Sequence, residues 1–133
     1  MQELEAAGAQ NIDLVNPTHF APFLRDALTK YKPHVPVVYN SGGYDSVETL
    51  KSLSGLVDIY LPDFKYMSEA TARLYSAAPD YPARARSAIL EMRRQTKDRF
   101  APDGRMRSGL IVRHLVLPQG PQSSAELLRL IAG

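Results

Sequence analysis

Residues 57–66 read VDIYLPDFKY, a short β-branched and aromatic run that ends at a proline and is followed by a carboxylate and an ammonium group. Such runs are typical of buried strands. Similar apolar runs occur at residues 12–15, 36–39 and 110–117. The sequence therefore predicts four strands, of which residues 57–61 form the third.

Segments with helical spacing of apolar residues separate these predicted strands. They cover residues 20–31, 45–55, 68–74, 80–92 and 123–131. Asp45 is the predicted cap of the second helix, and residues 100–107 are predicted to form a polar loop. Strict alternation of strands and helices implies parallel strands with right-handed crossovers. We therefore expect an α/β fold over residues 1–133, a parallel four-stranded β/α segment that is either a small open sheet or an incomplete piece of a partial (β/α) barrel.

The composition narrows the classes of function. The chain has 133 residues and a net charge of +2, which gives no strong field to attract nucleic acid or an anionic membrane. It contains no cysteine, which excludes a disulfide framework, a thiolate zinc site, a cysteine nucleophile and an iron–sulfur cluster ligated by this chain alone. The acidic first residues do not form a signal peptide. We therefore expect a cytoplasmic protein with neither a nucleic-acid nor a membrane partner.

Polar side chains follow the predicted strands at their carboxyl ends, where parallel α/β folds bind their ligands. The candidates are Asn16, Thr18 and His19 after the first strand, Asn40 and Ser41 after the second, Asp63 and Lys65 after the third, and His114 within the fourth. A carboxylate and an ammonium group two residues apart can face the same side and bind a zwitterion or a cation.

Each candidate also has a purely structural interpretation. The loop after the first strand could cap a helix, and residues 40–43 could form only a flexible glycine turn. The Asp63 and Lys65 pair could be a surface ion pair, and His114 could be a hydrogen-bonded core residue. The sequence alone leaves both interpretations open for each residue.

Basic residues concentrate in one part of the chain. The segment from Arg84 to Arg107 holds eight basic and three acidic residues. Such a segment is typical of a solvated helix face, but it also fits an acidic partner or a phosphate-bearing ligand. Aromatic residues do not alternate with the arginines, which argues against stacking on nucleic-acid bases.

Four phrases, taken in order, resemble radical S-adenosylmethionine proteins, in the branch similar to pyruvate formate-lyase activating enzyme. They are NIDLVNPTH at residues 11–19, VYNSGGY at 38–44, DIYLPDFKY at 58–66 and VRHLVLP at 112–118. The resemblance implies a partial (β/α) barrel with S-adenosylmethionine and a 4Fe-4S cluster as cofactors. It also implies a 5′-deoxyadenosyl radical that abstracts hydrogen from a substrate, which in some members is a glycine of a partner protein.

The resemblance places the candidate residues around S-adenosylmethionine. The loop of Asn16, Thr18 and His19 would meet the methionine amino group, and Asn40 and Ser41 would face the carboxylate. The Asp63-x-Lys65 motif would lie near the carboxylate and its associated cation, and His114 would be the inward polar residue close to the cofactor.

The chain differs from that family because it lacks the residues that bind the iron–sulfur cluster. The family holds its cluster with a C-x3-C-x2-C motif after the first barrel strand, and this chain has no cysteine. We expect the chain to begin after that loop, to be inactive alone and to hold no metal, with catalytic residues unknown. The expected partners are the missing N-terminal segment or a protein substrate, and unpaired strand edges predict oligomers.

Two other classes of function remain open. One is a non-catalytic α/β binding or structural module. The other is a metal-dependent lyase or hydrolase that uses His19, Asp63 and His114, although no H-x-H or H-x-x-x-H pair places two ligands on one element.

Anaerobic reconstitution of the purified chain with iron and sulfide tests the expected loss of the cluster. We expect no iron–sulfur absorbance, because three thiolate ligands are missing. A stable cluster on these 133 residues would contradict the interpretation.

Overall fold

Five strands form one sheet in the computed structural model, which describes residues 1–117 and 121–132. They are β1 (Ile12–Val15), β2 (Val37–Ser41), β3 (Ile59–Pro62), β4 (Arg99–Phe100) and β5 (Met106–Leu110). The order across the sheet is β1-β2-β3-β5-β4. All neighbours are parallel except β4, which runs antiparallel to β5. The predicted α/β class is confirmed at this level, with five strands rather than four.

The helices connect these strands. They are α1 (Gln2–Ala6), α2 (Ala21–Lys30), α3 (Val47–Ser52), α4 (Glu69–Ser76), α5 (Tyr81–Gln95) and α6 (Pro121–Ala132), with a 3-10 turn at Pro17–Phe20. Ser46 and Ser68 cap α3 and α4 by accepting hydrogen bonds from the backbone N–H three residues later. In the described ranges, no helix is both long and apolar enough to span a bilayer.

Helices cover one face of the sheet. Each parallel crossover moves one strand further in the same direction, so right-handed connections place α2, α3 and α5 on the same side. Tyr39 and Tyr60 are fully buried on this side, where the core cluster also contains Leu50 and Met92. The alternate residues of the strands point to the opposite face. We call that opposite side the open face.

The sheet curves toward the open face. Gln10 precedes the edge strand β1, and Arg105 belongs to the turn between β4 and β5 at the other edge. The Arg105 guanidinium nevertheless donates a hydrogen bond to the Gln10 side chain. The two edges therefore approach each other near the amino ends of the parallel strands.

The predicted fourth strand is wrong in its bounds. Residues 106–110 form β5, and β4 lies where the sequence predicts the start of a polar loop. Backbone pairing with β3 continues only to Arg113, whose N–H donates to the Pro62 carbonyl at 2.9 Å. The polar segment enters the sheet because pairing uses backbone groups, and because Gly109 adopts a φ of +148° that glycine tolerates beside Asp98. Residue 118, the last of the fourth phrase, lies outside the described residues.

The predicted Asp45 cap is also wrong. Asp45 is only 2% exposed, and its carboxylate accepts hydrogen bonds from three hydroxyls. Ser41 donates at 2.6 Å, Thr18 at 2.6 Å and Tyr39 at 2.9 Å. We call these four residues the Asp45 cluster. It joins β2 to the 3-10 turn and to the start of α3.

Removal of the Asp45 carboxylate should destabilise the fold. Asp45→Ala leaves buried hydroxyls without their acceptor, at roughly 1–3 kcal/mol for each buried group left unpaired. We expect the free energy of unfolding in urea to fall by at least about 2 kcal/mol in Asp45→Ala. The stability of Asp45→Asn should lie between that of the unaltered chain and that of Asp45→Ala. Glu48→Ala, at an exposed acid one turn later, is the control. Equal stability of Asp45→Ala and Glu48→Ala would contradict the assigned role.

Candidate functional site

Charged side chains meet at the carboxyl end of the open face. Asp63 directly follows β3, and an isolated parallel bridge places Arg113 beside it. Arg113 Nε donates to Asp63 Oδ1 at 2.8 Å. Lys65 Nζ lies 3.6 Å from the other carboxylate oxygen. One carboxylate therefore lies between two cations.

The network extends to the first two strands through Asn40. Its Oδ1 accepts from Arg113 Nη2 at 2.7 Å, and its Nδ2 donates to Asp13 Oδ2 at 3.1 Å. The amide thus joins Arg113 on one side to a second carboxylate on the other. We call Asp13, Asn40, Asp63, Lys65 and Arg113 the polar cluster.

The polar cluster is accessible to a ligand. The side chains of Asp63, Lys65 and Arg113 are 22%, 35% and 46% exposed. Ion pairs this exposed typically stabilise a fold by less than about 1 kcal/mol. Rearranging them around a ligand therefore costs little. Two carboxylates and two cations on one surface can pair with both ends of a zwitterion.

Tyr81, at the start of α5, joins the loop after β2 to the loop after β3, which carries Asp63 and Lys65. Its hydroxyl lies 2.9 Å from the carbonyl oxygens of Gly42 and Asp63 and accepts from the Lys65 N–H at 3.0 Å. Burial raises the pKa of Tyr81, so the hydroxyl keeps its proton. One buried hydroxyl thereby joins the backbone of Gly42 to the backbone of Asp63 and Lys65.

Gly43 allows the loop after β2 to lie close to the loop after β3. Its φ is +77°, and a Cβ at this position would overlap the Asp63 carbonyl oxygen. Gly42 has more room, since a Cβ there would meet only Lys65 Nζ at 3.7 Å. The double glycine after β2 is therefore required for packing at Gly43, where a side chain would push the two loops apart.

Thr18 and Ser41 do not reach the polar cluster. Both hydroxyls donate to the buried Asp45 carboxylate instead. Asn16 adopts a left-handed conformation and makes no side-chain cap hydrogen bond. His19 is exposed in the 3-10 turn. The predicted candidates after the first strand thus lie outside the cluster.

His114 lies apart from the polar cluster. One ring nitrogen is 2.7 Å from the Phe64 carbonyl oxygen, and the other is 2.8 Å from the Ser124 hydroxyl. Its ring borders a separate cavity of about 180 Å³ against α4. Both nitrogens have protein partners, which fits the structural interpretation of this histidine.

The structure brings together Asn40, Asp63 and Lys65 from the predicted set and adds Asp13, Arg113 and Tyr81. Strand parity could have identified Arg113, because it alternates with His114 and bridges to Asp63. Asp13 also has a signal, as the polar residue inside the first apolar run. Nothing in the sequence marks Tyr81, whose contacts are distant along the chain.

The resemblance implies a 4Fe-4S cluster, and this prediction is wrong for this chain. The sequence has no cysteine, and within residues 1–117 and 121–132 no group of three His, Cys, Asp or Glu side chains could hold a metal ion. The same finding overturns the metal-dependent alternative, since His114 binds Phe64 and Ser124 while Asp63 binds Arg113.

Comparison with known proteins gives one partial similarity. No family model matches the chain, and no solved structure matches it significantly. An uncharacterized protein of the archaeon Methanocaldococcus jannaschii is 32% identical over 75 residues, which is 55% of this chain and 22% of the archaeal protein. The matched part therefore spans less than a quarter of that relative.

Proposed function

We propose that this chain is the ligand-binding part of a larger protein related to radical S-adenosylmethionine enzymes. In this proposal the polar cluster holds the amino-acid end of a small zwitterion, which the sequence resemblance names as S-adenosylmethionine. The observation that carries the proposal is the Asp63 carboxylate, held between Arg113 and Lys65 at an accessible strand end. Parallel α/β folds place their ligands at this end.

The donor set of the polar cluster matches an α-amino acid. An ammonium group needs acceptors, which Asp13 and Asp63 supply. A carboxylate needs donors, which the Arg113 guanidinium and the Lys65 ammonium supply, the former with a planar fork suited to two oxygens. The Asn40 amide, which lies between Asp13 and Arg113, offers both a donor group and an acceptor group. Each end of the zwitterion can thus replace a contact that the side chains now make with one another.

We also propose that the sheet is part of a (β/α) barrel. Helices on one face, four parallel strands in sequential order and the contact between Gln10 and Arg105 support this proposal. A barrel would keep its ligand on the open face, where the polar cluster lies. The proposed location is the cytoplasm.

The chain alone should lack radical chemistry. Reductive cleavage of S-adenosylmethionine needs an electron donor, and no cysteine is present to hold a cluster. In this proposal the contribution of the chain is to bind and orient the ligand. A partner segment or protein would supply the rest of the site.

The second candidate is a non-catalytic α/β binding module. The mutual pairing of Asp63, Lys65 and Arg113 favours it, because the cluster is already charge-balanced without a ligand. Such a module would keep the fold and need no specific zwitterion.

Calorimetric titration separates the two candidates. S-adenosylmethionine should bind the chain, and Asp63→Ala and Arg113→Ala should each weaken binding about tenfold or more, the usual cost of losing a charged hydrogen-bond partner. 5′-Methylthioadenosine lacks the ammonium and carboxylate groups, so its affinity should not respond to either change.

Matched controls come from an exposed ion pair on α2. Arg25 and Asp26 interact at 3.2 Å, with side chains 53% and 61% exposed. Arg25→Ala and Asp26→Ala should leave binding unchanged. Absence of S-adenosylmethionine binding to the unaltered chain, with the fold intact by circular dichroism, would overturn the first candidate in favour of the binding module.

A further inference from the structure

A groove lies on the helix-covered face of the sheet, between α5 and α6. The two helices contact each other in a buried cluster, where Leu127 of α6 accompanies Ala85 of α5. An open groove with a volume of about 610 Å³ remains between them. Its floor consists of buried and half-buried apolar side chains, which are Phe64, Ile89, Leu110 and Val112.

Three large apolar side chains stay exposed on the walls of this groove. Leu90 of α5 is 63% exposed, and Leu130 and Ile131 of α6 are 41% and 39% exposed. Together with the floor they form one continuous apolar surface that is open to solvent. Continuous apolar patches on a folded domain are typical of surfaces that bind a partner.

The charges along the groove come mainly from α5. Arg86 precedes Leu90 by four residues and Arg93 follows it by three, so these side chains share one side of the helix. Asp98 is the acid among the described residues that line the groove, and its Oδ1 accepts from Arg93 Nη1 at 2.8 Å. Arg86 forms no salt bridge within residues 1–117 and 121–132. Two arginines and one aspartate thus leave one positive charge, at Arg86.

This charge argues against a second copy of the chain as the occupant. A two-fold contact joins the same surface of both copies. It would therefore bring the Arg86 guanidinium groups of both copies into one interface, where like charges repel. A partner with a carboxylate at this position would instead gain an ion pair. The open groove between two helices also fits a third helix, which can place side chains three and four residues apart into it.

We propose that this groove binds an amphipathic helix of an acidic partner protein. Apolar side chains of that helix contact Leu90, Leu130 and Ile131, and a carboxylate one turn away pairs with Arg86. Arg86 and Leu90 are separated by about 6 Å along α5, which matches one turn of a helix that runs beside it. The groove contains no residue of the polar cluster, and the inference does not depend on the proposed function.

Two synthetic helical peptides test the proposal on the full chain. Both carry leucines spaced three and four residues apart, and the residues that flank the leucines are glutamates in one peptide and lysines in the other. The glutamate peptide should bind. The lysine peptide should bind at least about tenfold more weakly, because its ammonium groups would face Arg86. Calorimetric titration measures both affinities.

Two substitutions on α5 separate the charge from the apolar contact. Arg86→Glu should weaken binding of the glutamate peptide at least about tenfold and strengthen binding of the lysine peptide, because it reverses the charge of the groove. Leu90→Ala should weaken both peptides alike, because it removes apolar surface that either peptide would cover.

Matched controls come from α4, where Arg73 and Leu74 are both exposed, the latter by 76%. Neither residue lines the groove. Arg73→Glu and Leu74→Ala should leave both affinities unchanged. Urea unfolding of every variant shows whether the fold is retained.

Three results would overturn the proposal. One is no binding of the glutamate peptide by the unaltered chain, and another is equal affinity for the two peptides. The third is a dimer in sedimentation equilibrium that Leu90→Ala dissociates, since a second copy would then cover the groove.

Discussion

The close approach of the loops after β2 and β3 is the constraint on which the rest of the site depends. Gly43 leaves no room for a Cβ against the Asp63 carbonyl, and the buried Tyr81 hydroxyl joins the backbone of Gly42, Asp63 and Lys65. These contacts set the position from which the Asp63 and Lys65 side chains leave the sheet. Arg113 then meets Asp63 from the segment that follows β5. One glycine and one tyrosine thereby fix the loop that carries Asp63 and Lys65.

The two faces of the sheet have different roles: the helical face stabilises the fold, and the open face carries the proposed binding site. On the helical face, Tyr39 and Tyr60 are fully buried, and the buried Asp45 carboxylate joins three elements through hydroxyls. Loss of such contacts costs stability because each partner is shielded from water. On the open face, the charges of the polar cluster are exposed enough to exchange partners. The fold can therefore keep its structure while these side chains respond to a ligand.

Local patterns predicted much of this architecture. The runs at residues 12–15 and 57–61 are strands with small shifts in their ends, and Asp63 and Lys65 were identified because they follow a strand directly. Contacts between distant residues were not predictable. Asn40 and Arg113 are 73 residues apart, and Thr18 and Asp45 are 27 apart. His114 was preferred to Arg113 because its type suggests chemistry, whereas the bridge to Asp63 depends on register. The hairpin of β4 and β5 escaped prediction because its pairing uses backbone groups beneath polar side chains.

The central claim is that a zwitterionic ligand binds at Asp63 and Arg113. The most direct test is an amide chemical-shift map of the isotope-labelled chain during titration with S-adenosylmethionine. We predict that the largest shifts lie at residues 41–43, 63–65 and 113, where the amides border the polar cluster. Shifts confined to residues 66–75 and 114–117 would place the ligand in the cavity beside His114 and would contradict the account.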